Sequence, residues 1–309
     1  MQHYWSVDGL RLQRSWITIG TFDGIHLGHQ AIIRELVEGA RRAGIPSVVI
    51  TFHPHPAVIL KKRAQSFYLT HPEEQADLLG ERGVDVVVSY PFTSQVAEMS
   101  AREFVNHLYS HLGFEKLIVG FNFALGKGRE GDVATLSRFG EENGFVVQAV
   151  APVTNGGEVI SSSQIRFSLA DGDVDRVARF LGRPYRLTGA VVPGDGRGRL
   201  IGIPTANIAV WEEQALPKAG VYICIAKALG QNWNSVANVG YRPTFESAQV
   251  RPRVEAYLLD FGQNLYGETI SLDFVQRLRD EQRFDSIEKL VTQIQKDIAR
   301  TRQVLIESN

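Results

Sequence analysis

A regular alternation of short apolar runs with amphipathic helical patterns is the feature that most constrains the fold of this chain. Residues 16–20 form an apolar run that ends in glycine. Residues 32–43 then carry apolar side chains at spacings of three and four, which places them on one face of a helix ending near Gly44. The apolar run 47–52 completes a strand–helix–strand unit, and its two strands are expected to be parallel.

The same alternation continues to residue 153. It supplies a helix and a strand at residues 72–82 and 84–89, then at 100–112 and 116–120, and then at 132–143 and 145–153. Repeated strand–helix alternation predicts a doubly wound α/β domain built on a parallel sheet.

The pattern changes after a helical segment at residues 171–184. Short strand-like runs separated by glycine and proline then follow, at residues 189–192, 200–203, 221–228, 236–239, 254–261 and 269–274. This spacing predicts a small antiparallel β-barrel, and an amphipathic helix that begins near Ser286 closes the chain. We therefore predict two domains, 1–182 and 183–309, the first α/β and the second mainly β.

Composition excludes several classes of protein. The 309 residues include 33 Lys plus Arg and 34 Asp plus Glu, so no basic excess indicates a nucleic-acid partner. A single cysteine, Cys224, rules out an internal disulfide. The sequence has no apolar stretch of about 18 residues and no N-terminal signal segment. We expect a cytoplasmic protein with small-molecule partners and no membrane partner, and a homo-oligomer is compatible with the sequence.

The segment GTFDGIHLGH, at residues 20–29, follows the first predicted strand and leads into the first helix. Ligands of open α/β sheets bind beyond the carboxyl ends of the strands, and helix N-termini offer N–H groups to phosphate. Gly24 and Gly28 allow a close approach of the backbone. His26 and His29 would share one face and could stabilise a phosphate under attack. From the residues alone, two solvated histidines or a metal-binding pair remain alternatives.

Later residues of the first half could also bind phosphate. Ser162 and Ser163 can cap a helix and present hydroxyl groups, and Arg166 on its first turn could pair with phosphate oxygens. A plain helix cap followed by a solvated arginine is the alternative. Neither a P-loop nor a dinucleotide-binding glycine fingerprint occurs at the required spacing.

A second polar cluster opens the barrel half. If the segment is extended, Thr205 and Asn207 point to the same face and offer oxygen ligands suited to Mg²⁺. The glycines before them could form a flap whose N–H groups bind phosphate. Glu255 could accept the proton of an attacking alcohol. A polar hairpin, and an exposed glutamate paired with Arg253, are the corresponding structural alternatives.

The first-half motifs resemble those of bacterial bifunctional riboflavin kinase/FAD synthetases, within the nucleotidylyltransferase superfamily. GTFDGIHLGH resembles the family signature, and the segments 51–56, 119–132 and 160–166 resemble further blocks. The resemblance implies adenylyl transfer from ATP to FMN, with His26 and His29 as catalytic residues. It also implies that phosphates contact Gly20, Thr21, Phe22, Asp23, Gly24, Gly28, Ser162, Ser163 and Arg166, and that flavin contacts His53, Pro54 and Asn122. Asn122 and Leu125 depart from the family, which often has Asp and Phe there.

The second half resembles the riboflavin kinase domain of the same family. PTAN, at residues 204–207, resembles the hallmark of that domain, and the segments 238–245, 254–261 and 278–284 resemble later blocks. The resemblance implies that Thr205 and Asn207 bind Mg²⁺ with ATP and that Glu255 is catalytic. It further implies that phosphates contact Gly194, Gly196, Gly198 and Arg199, and that flavin contacts Arg279.

The expected function is therefore the synthesis of FAD from riboflavin in two steps, with ATP as co-substrate of both and Mg²⁺ as cofactor. Riboflavin is phosphorylated to FMN in the barrel, and FMN is adenylylated to FAD in the α/β half. Three alternatives stay open: another nucleotidylyltransferase, such as a cytidylyltransferase or a pantetheine-phosphate adenylyltransferase; a riboflavin kinase with weak or lost adenylylation; and a flavin-binding module without turnover.

Overall fold

The structure is a computed structural model that describes residues 1–60, 67–194, 196–244 and 247–307, with the backbone alone at 197, 241–244, 247–252 and 307. The chain divides into two compact units, Met1–Ser162 and Ser163–Asn309. The functional domain boundary that we predict after residue 182 stays a prediction. No helix of the described residues is long and apolar enough to cross a membrane.

The first unit is built on a parallel sheet, as the alternating pattern predicts. Its strands are β1 (Gln2–Tyr4), β2 (Ser15–Ile19), β3 (Ser47–His53), β4 (Val86–Pro91), β5 (Phe114–Gly120) and β8 (Val146–Val150). The described strands lie in the order β1-β4-β3-β2-β5-β8, and every neighbouring pair is parallel. The chain runs outward in one direction from β2 to β3 and in the other direction to β5. The carboxyl ends of β2 and β5 therefore form a topological switch point, where open α/β sheets bind ligands.

Short two-residue strands form two further ribbons in this unit. β6 (Ala124–Leu125) pairs with β7 (Gly131–Asp132), and β9 (Thr154–Asn155) pairs with β10 (Glu158–Val159).

Helices cover both faces of the sheet. They are α1 (Leu27–Ala43), α2 (Pro56–Ile59), α3 (Pro72–Glu81), α4 (Ser94–Glu98), α5 (Ala101–Leu112) and α6 (Val133–Asn143), with a 3₁₀ turn at Lys127–Arg129. Side chains alternate along β3, so that Val48 packs in the same cluster as Leu108 of α5, while Val49 packs in the same cluster as Leu36 of α1. Gly44 ends α1 in the left-handed conformation, with φ of 67°.

The second unit contains a closed antiparallel barrel, which confirms the predicted fold. Its strands are β11 (Tyr185–Val192), β12 (Ala206–Val210), β13 (Gly220–Ala228), β14 (Gln231–Thr244), β15 (Ser247–Leu258) and β16 (Thr269–Arg279), and the barrel closes in the order β11-β12-β15-β14-β13-β16. Its helices are α7 (Ser162–Asp171), which begins at the last residue of the first unit, α8 (Val174–Leu181), α9 (Arg197–Leu200) and α10 (Ile287–Glu307). Tyr185, Tyr222 and Phe274, on three of its strands, are almost completely buried.

One predicted strand is wrong. Residues 200–203 do not form a strand, because the chain makes the helical turn α9 and β12 begins only at Ala206. Gly202 adopts φ of 74°, and the Ile203 N–H donates to the Gly198 carbonyl oxygen at 2.8 Å. These turn contacts use backbone groups that a strand would need for its neighbours. The run of apolar residues at 200–203 therefore predicts a strand where the chain forms a turn.

Candidate active sites

The loop between β2 and α1 is tightly bent. Phe22, Gly24 and Ile25 all have positive φ, at 45°, 82° and 42°. Asp23 is buried, and its Oδ1 accepts hydrogen bonds from the N–H groups of Leu69 at 2.9 Å and Thr70 at 3.2 Å. The Asp23 side chain therefore ties the loop to residues 69 and 70, and residues 20–29 can hold an unusual backbone conformation at the switch point.

The two histidines of this loop are stacked on each other. Their ring centroids are 3.6 Å apart with an interplanar angle of 20°, and His26 is almost fully buried. The His29 N–H donates to His26 Nδ1 at 3.3 Å, so that His26 caps α1. In the neutral ring, this contact leaves the proton on Nε2 as a donor. A Cβ at Gly28 would lie 3.0 Å from His26 Cε1, so glycine provides the room that the stack needs.

A cavity of about 620 Å³ lies beside the histidines, entirely within the first unit; we call it the sheet cavity. Its lining includes the loop and groups at helix starts, among them His26, His29 and Ser162. The lining also includes many apolar side chains, namely Phe52, Phe92, Val96, Met99, Phe104, Phe121 and Phe123. A cavity with both polar and aromatic lining groups suits a ligand that combines phosphates with a flat ring.

Most of the predicted residues of the first half line the sheet cavity. Those that do are Gly20, Thr21, Phe22, His26, Gly28, His29, Asn122 and Ser162. Asp23, Gly24, His53 and Pro54 are outside the lining, although Phe52, His55 and Pro56 belong to it. The Ser162 hydroxyl donates to the Asp23 carbonyl oxygen at 2.9 Å. Ser163 and Arg166 lie on α7, in the second unit.

Sequence reasoning missed the aromatic wall and one cation of the sheet cavity. Arg129 lines it and donates from Nη2 to the Asn122 carbonyl oxygen at 3.1 Å. Phe121 is half exposed directly after β5, and an exposed aromatic residue beyond a strand end is a signal that could have been used.

A second pocket, of about 330 Å³, lies at the barrel, entirely within the second unit; we call it the barrel pocket. It is lined by Gly194, Gly196, Gly198, Arg199, Pro204, Thr205, Asn207, Asn238, Gly240, Arg253, Glu255, Tyr266 and Glu281. All residues that we predicted for the kinase half are in this lining except Arg279.

Strand register explains why three of these side chains meet. Asn207 of β12 is opposite Glu255 of β15, and Glu255 is opposite Asn238 of β14. Directly opposed residues point to the same face of a sheet, so two amide side chains flank one carboxylate. Thr205 precedes β12 and donates from Oγ1 to Glu255 Oε2 at 3.4 Å. Thr205 and Asn207, which the sequence analysis predicts to act together, both line this pocket.

Arg253 contacts both Asn207 and Glu255. Its guanidinium pairs with Glu255, with Nε 2.6 Å from Oε1. It also donates from Nε at 3.0 Å and from Nη2 at 2.7 Å to Asn207 Oδ1. The alternative of an ion pair between Glu255 and Arg253 thus describes a real contact, but both side chains are only about 28–29% exposed and both face the pocket.

Two glycines let backbone segments approach these side chains. A Cβ at Gly194 would lie 2.0 Å from Asn207 Nδ2, and a Cβ at Gly240 would lie 2.4 Å from Glu281 Oε1. The Asn238 amide donates from Nδ2 to Glu281 Oε1 at 3.1 Å. Asn238 and Glu281 lie in the segments 238–245 and 278–284, but neither is among the residues predicted for the site.

Arg279 lies outside the barrel pocket. Its Nη2 is 2.7 Å from Oδ2 of Asp297, which is almost fully buried on α10, and its Nε lies 3.0 Å from the same oxygen. This ion pair joins β16 to the terminal helix. The flavin contact predicted for Arg279 stays a prediction.

The first unit has a histidine loop at a sheet switch point, and the second has an oxygen-lined pocket on a closed barrel. These are the features of a protein with two separate sites for phosphate-containing ligands. A family model described as FAD synthetase matches residues 10–164, and one described as riboflavin kinase matches residues 181–305. The chain belongs to the bifunctional riboflavin kinase/FMN adenylyltransferase family.

Relatives with that name cover nearly the whole chain. The protein of Pseudomonas fluorescens is 40% identical over 94% of this chain and 93% of its own length. The protein of Listeria monocytogenes is 38% identical over 93% of this chain and 91% of its own length. A crystal structure of a Streptococcus pneumoniae protein described as a macrolide-efflux protein is 31% identical, with a TM-score of 0.89, over 97% of this chain and 98% of that one. This similarity supports the fold of both units.

Proposed function

We propose that this chain converts riboflavin to FAD in two successive reactions, each of which consumes ATP. The barrel phosphorylates riboflavin to FMN and releases ADP. The α/β part transfers AMP from a second ATP to FMN and releases pyrophosphate. The observation that carries the proposal is that each unit has its own cavity, lined by most of the residues that the family motifs assign to its reaction.

In the first reaction, Glu255 is the proposed general base. The terminal hydroxyl of the ribityl chain attacks the γ-phosphorus of ATP, and the bond from that phosphorus to the bridging oxygen of ADP breaks. Glu255 accepts the hydroxyl proton, and the Thr205 hydroxyl helps to hold the carboxylate in place. Gly194, Gly196, Gly198 and Arg199 would supply backbone N–H groups and a positive charge to the phosphates.

Mg²⁺ is the metal that this site would take with ATP. Thr205 Oγ1 and Asn207 Oδ1 are the side-chain oxygens that would hold it, and it would neutralise charge on the phosphates. These oxygens fit a cation, because Asn207 Oδ1 already faces one: it accepts two hydrogen bonds from the positively charged Arg253. No group of three or more His, Cys, Asp or Glu side chains suited to a metal occurs in the described part of the chain. A Mg²⁺ ion that keeps several waters and shares substrate phosphates does not need one.

In the second reaction, an oxygen of the FMN phosphate attacks the α-phosphorus of ATP, and pyrophosphate leaves. We assign the stabilisation of the phosphates to His26 and His29, whose stack is fixed by the cap contact and by Gly28. Ser162, Ser163 and Arg166 are proposed as further phosphate contacts. We assign the flavin ring to the aromatic side chains that line the sheet cavity, which Asn122 also lines. His53 and Pro54, which lie outside this lining, are proposed as further flavin contacts.

The test is a direct assay of products. Purified protein is incubated with riboflavin, ATP and MgCl₂, and flavins and nucleotides are separated by chromatography over time. We expect FMN to appear first and FAD second, with ADP and pyrophosphate as by-products. FMN without FAD would leave only the kinase half, and saturable flavin binding without ATP consumption would overturn the proposal.

A further inference from the structure

The barrel pocket contains a built-in cation. The Arg253 guanidinium contacts Asn207 Oδ1 through two N–H groups, at 3.0 Å and 2.7 Å, and contacts Glu255 Oε1 at 2.6 Å. A planar guanidinium is suited to such a bridge, because its N–H groups point in fixed directions and its charge is permanent. One cation therefore holds together an amide oxygen and a carboxylate that belong to neighbouring strands.

These oxygens are the ones that the proposed reaction needs. Asn207 Oδ1 is the proposed metal ligand, and Glu255 is the proposed base. The Glu255 oxygen that contacts the guanidinium has a lone pair engaged by its N–H groups. An amide oxygen that accepts two N–H groups has both of its lone pairs engaged. In this arrangement, the Arg253 guanidinium engages both the proposed metal ligand and the proposed base at once.

We propose that Arg253 is a positioning residue that reserves the metal site. Before substrates arrive, its guanidinium holds Asn207 and Glu255 in register, and Mg²⁺ that arrives with the nucleotide competes with it for Asn207 Oδ1. When Arg253 leaves these oxygens, the Glu255 carboxylate becomes free to accept the hydroxyl proton. This inference rests on the proposed Mg²⁺ ligands of the barrel pocket.

The first test measures binding without turnover. Mg²⁺ is titrated into protein with ADP and riboflavin, and the quenching of riboflavin fluorescence reports the midpoint. All proteins carry His29→Ala, and the compared proteins differ only at position 253, so that contributions from the sheet cavity are the same. Because Arg253→Met removes the competing charge at similar length, we expect its Mg²⁺ midpoint to fall by about threefold to tenfold. The Arg253→Lys variant, whose ammonium cannot bridge both oxygens in the same way, should lie between the two.

An unchanged or higher midpoint for Arg253→Met would overturn the inference. The higher midpoint would mean that Arg253 supports phosphate binding and does not compete. Asn207→Ala in the same background should raise the midpoint. If it does not, the proposed metal ligand is wrong, which separates the failure of the proposed function from the failure of this inference.

A second measurement uses the unaltered protein, in case Arg253→Met does not fold. Arginine is labelled with ¹⁵N, and the Arg253 Nε–H signal is assigned by its absence in Arg253→Lys. Hydrogen exchange at that N–H should become faster when Mg²⁺, ADP and riboflavin are added together. Exchange that stays equally slow would show that the guanidinium keeps its contacts in the loaded pocket, and the inference would be refuted.

Discussion

A single methyl group at position 194 should disable the kinase half. A Cβ at Gly194 would lie 2.0 Å from Asn207 Nδ2 and 2.5 Å from its Cγ. Ordinary contacts between such atoms need roughly 3.5 Å, so Gly194→Ala forces a displacement of roughly 1.5 Å. Asn207 is held by two hydrogen bonds from Arg253, so either those bonds break or the backbone near residue 194 moves away.

Either displacement removes a proposed phosphate or metal contact from its place. A misplacement of about 1 Å in an active site can cost about a hundredfold in rate, and we expect the formation of FMN from riboflavin to fall by that order. Adenylylation of supplied FMN should stay within about twofold, since the sheet cavity lies wholly within the first unit. Both rates are measured by chromatography of the flavins, with one protein preparation for the two assays.

Gly262→Ala is the matched control. No atom lies within 4 Å of a Cβ built at Gly262, which is in the same unit, so this variant should keep both activities. A melting curve followed by circular dichroism shows whether Gly194→Ala is folded. If Gly194→Ala is folded and phosphorylates riboflavin at nearly the unaltered rate, the reasoning that Asn207 must keep its position is refuted.

Further substitutions separate the two reactions. Glu255→Gln keeps the shape of the side chain but removes the proton acceptor, so FMN formation should fall by about a hundredfold or more while supplied FMN still becomes FAD; equal loss of both rates would contradict two independent sites. His29→Ala should stop the conversion of riboflavin at FMN. The control His111→Ala, on α5 outside the lining of both cavities, should leave FAD formation unchanged. Burial, followed by the nearby Asp273, raises the pKa of the Cys224 thiol well above its usual range, so a thiol reagent at pH 8 should label the chain only after denaturation; rapid labelling of folded protein would refute the burial.

Elements with a strong hydrophobic period were predictable from the sequence. The runs at 16–20 and 47–52 correspond to β2 and β3, because strands buried on both faces read as continuous apolar segments. The start of α1 was less clear, since the apolar period begins at residue 32 whereas the helix begins at Leu27. The cap that starts it, His26, is a histidine and not one of the usual Ser, Thr, Asp or Asn caps.

The barrel site was predictable only in part, because its composition depends on strand register. Thr205 and Asn207 are close in sequence, and their common side follows from local geometry. Asn238 and Glu255 are 17 residues apart along the chain yet directly opposed, and the pairing of β14 with β15 brings them together. No local pattern encodes such a pairing, so the sequence does not identify Asn238 as a residue of the site. Glu281 was missed for the same reason, since it reaches Asn238 from a segment beyond β16.

The segment 160–166, which we propose to contact phosphate, spans the division between the two compact units. Ser162 bonds through its hydroxyl to the Asp23 carbonyl, within the first unit. Four residues later on the same helix, Arg166 belongs to the second unit. Further along α7, the Leu169 carbonyl oxygen accepts a hydrogen bond from the Lys218 N–H at 2.8 Å, also within the second unit. Compactness depends on where backbone and side chains pack, whereas the proposed phosphate contacts depend on which groups a ligand would touch. The predicted boundary after residue 182 keeps Ser162, Ser163 and Arg166 together, whereas the division after residue 162 separates Ser162 from the other two.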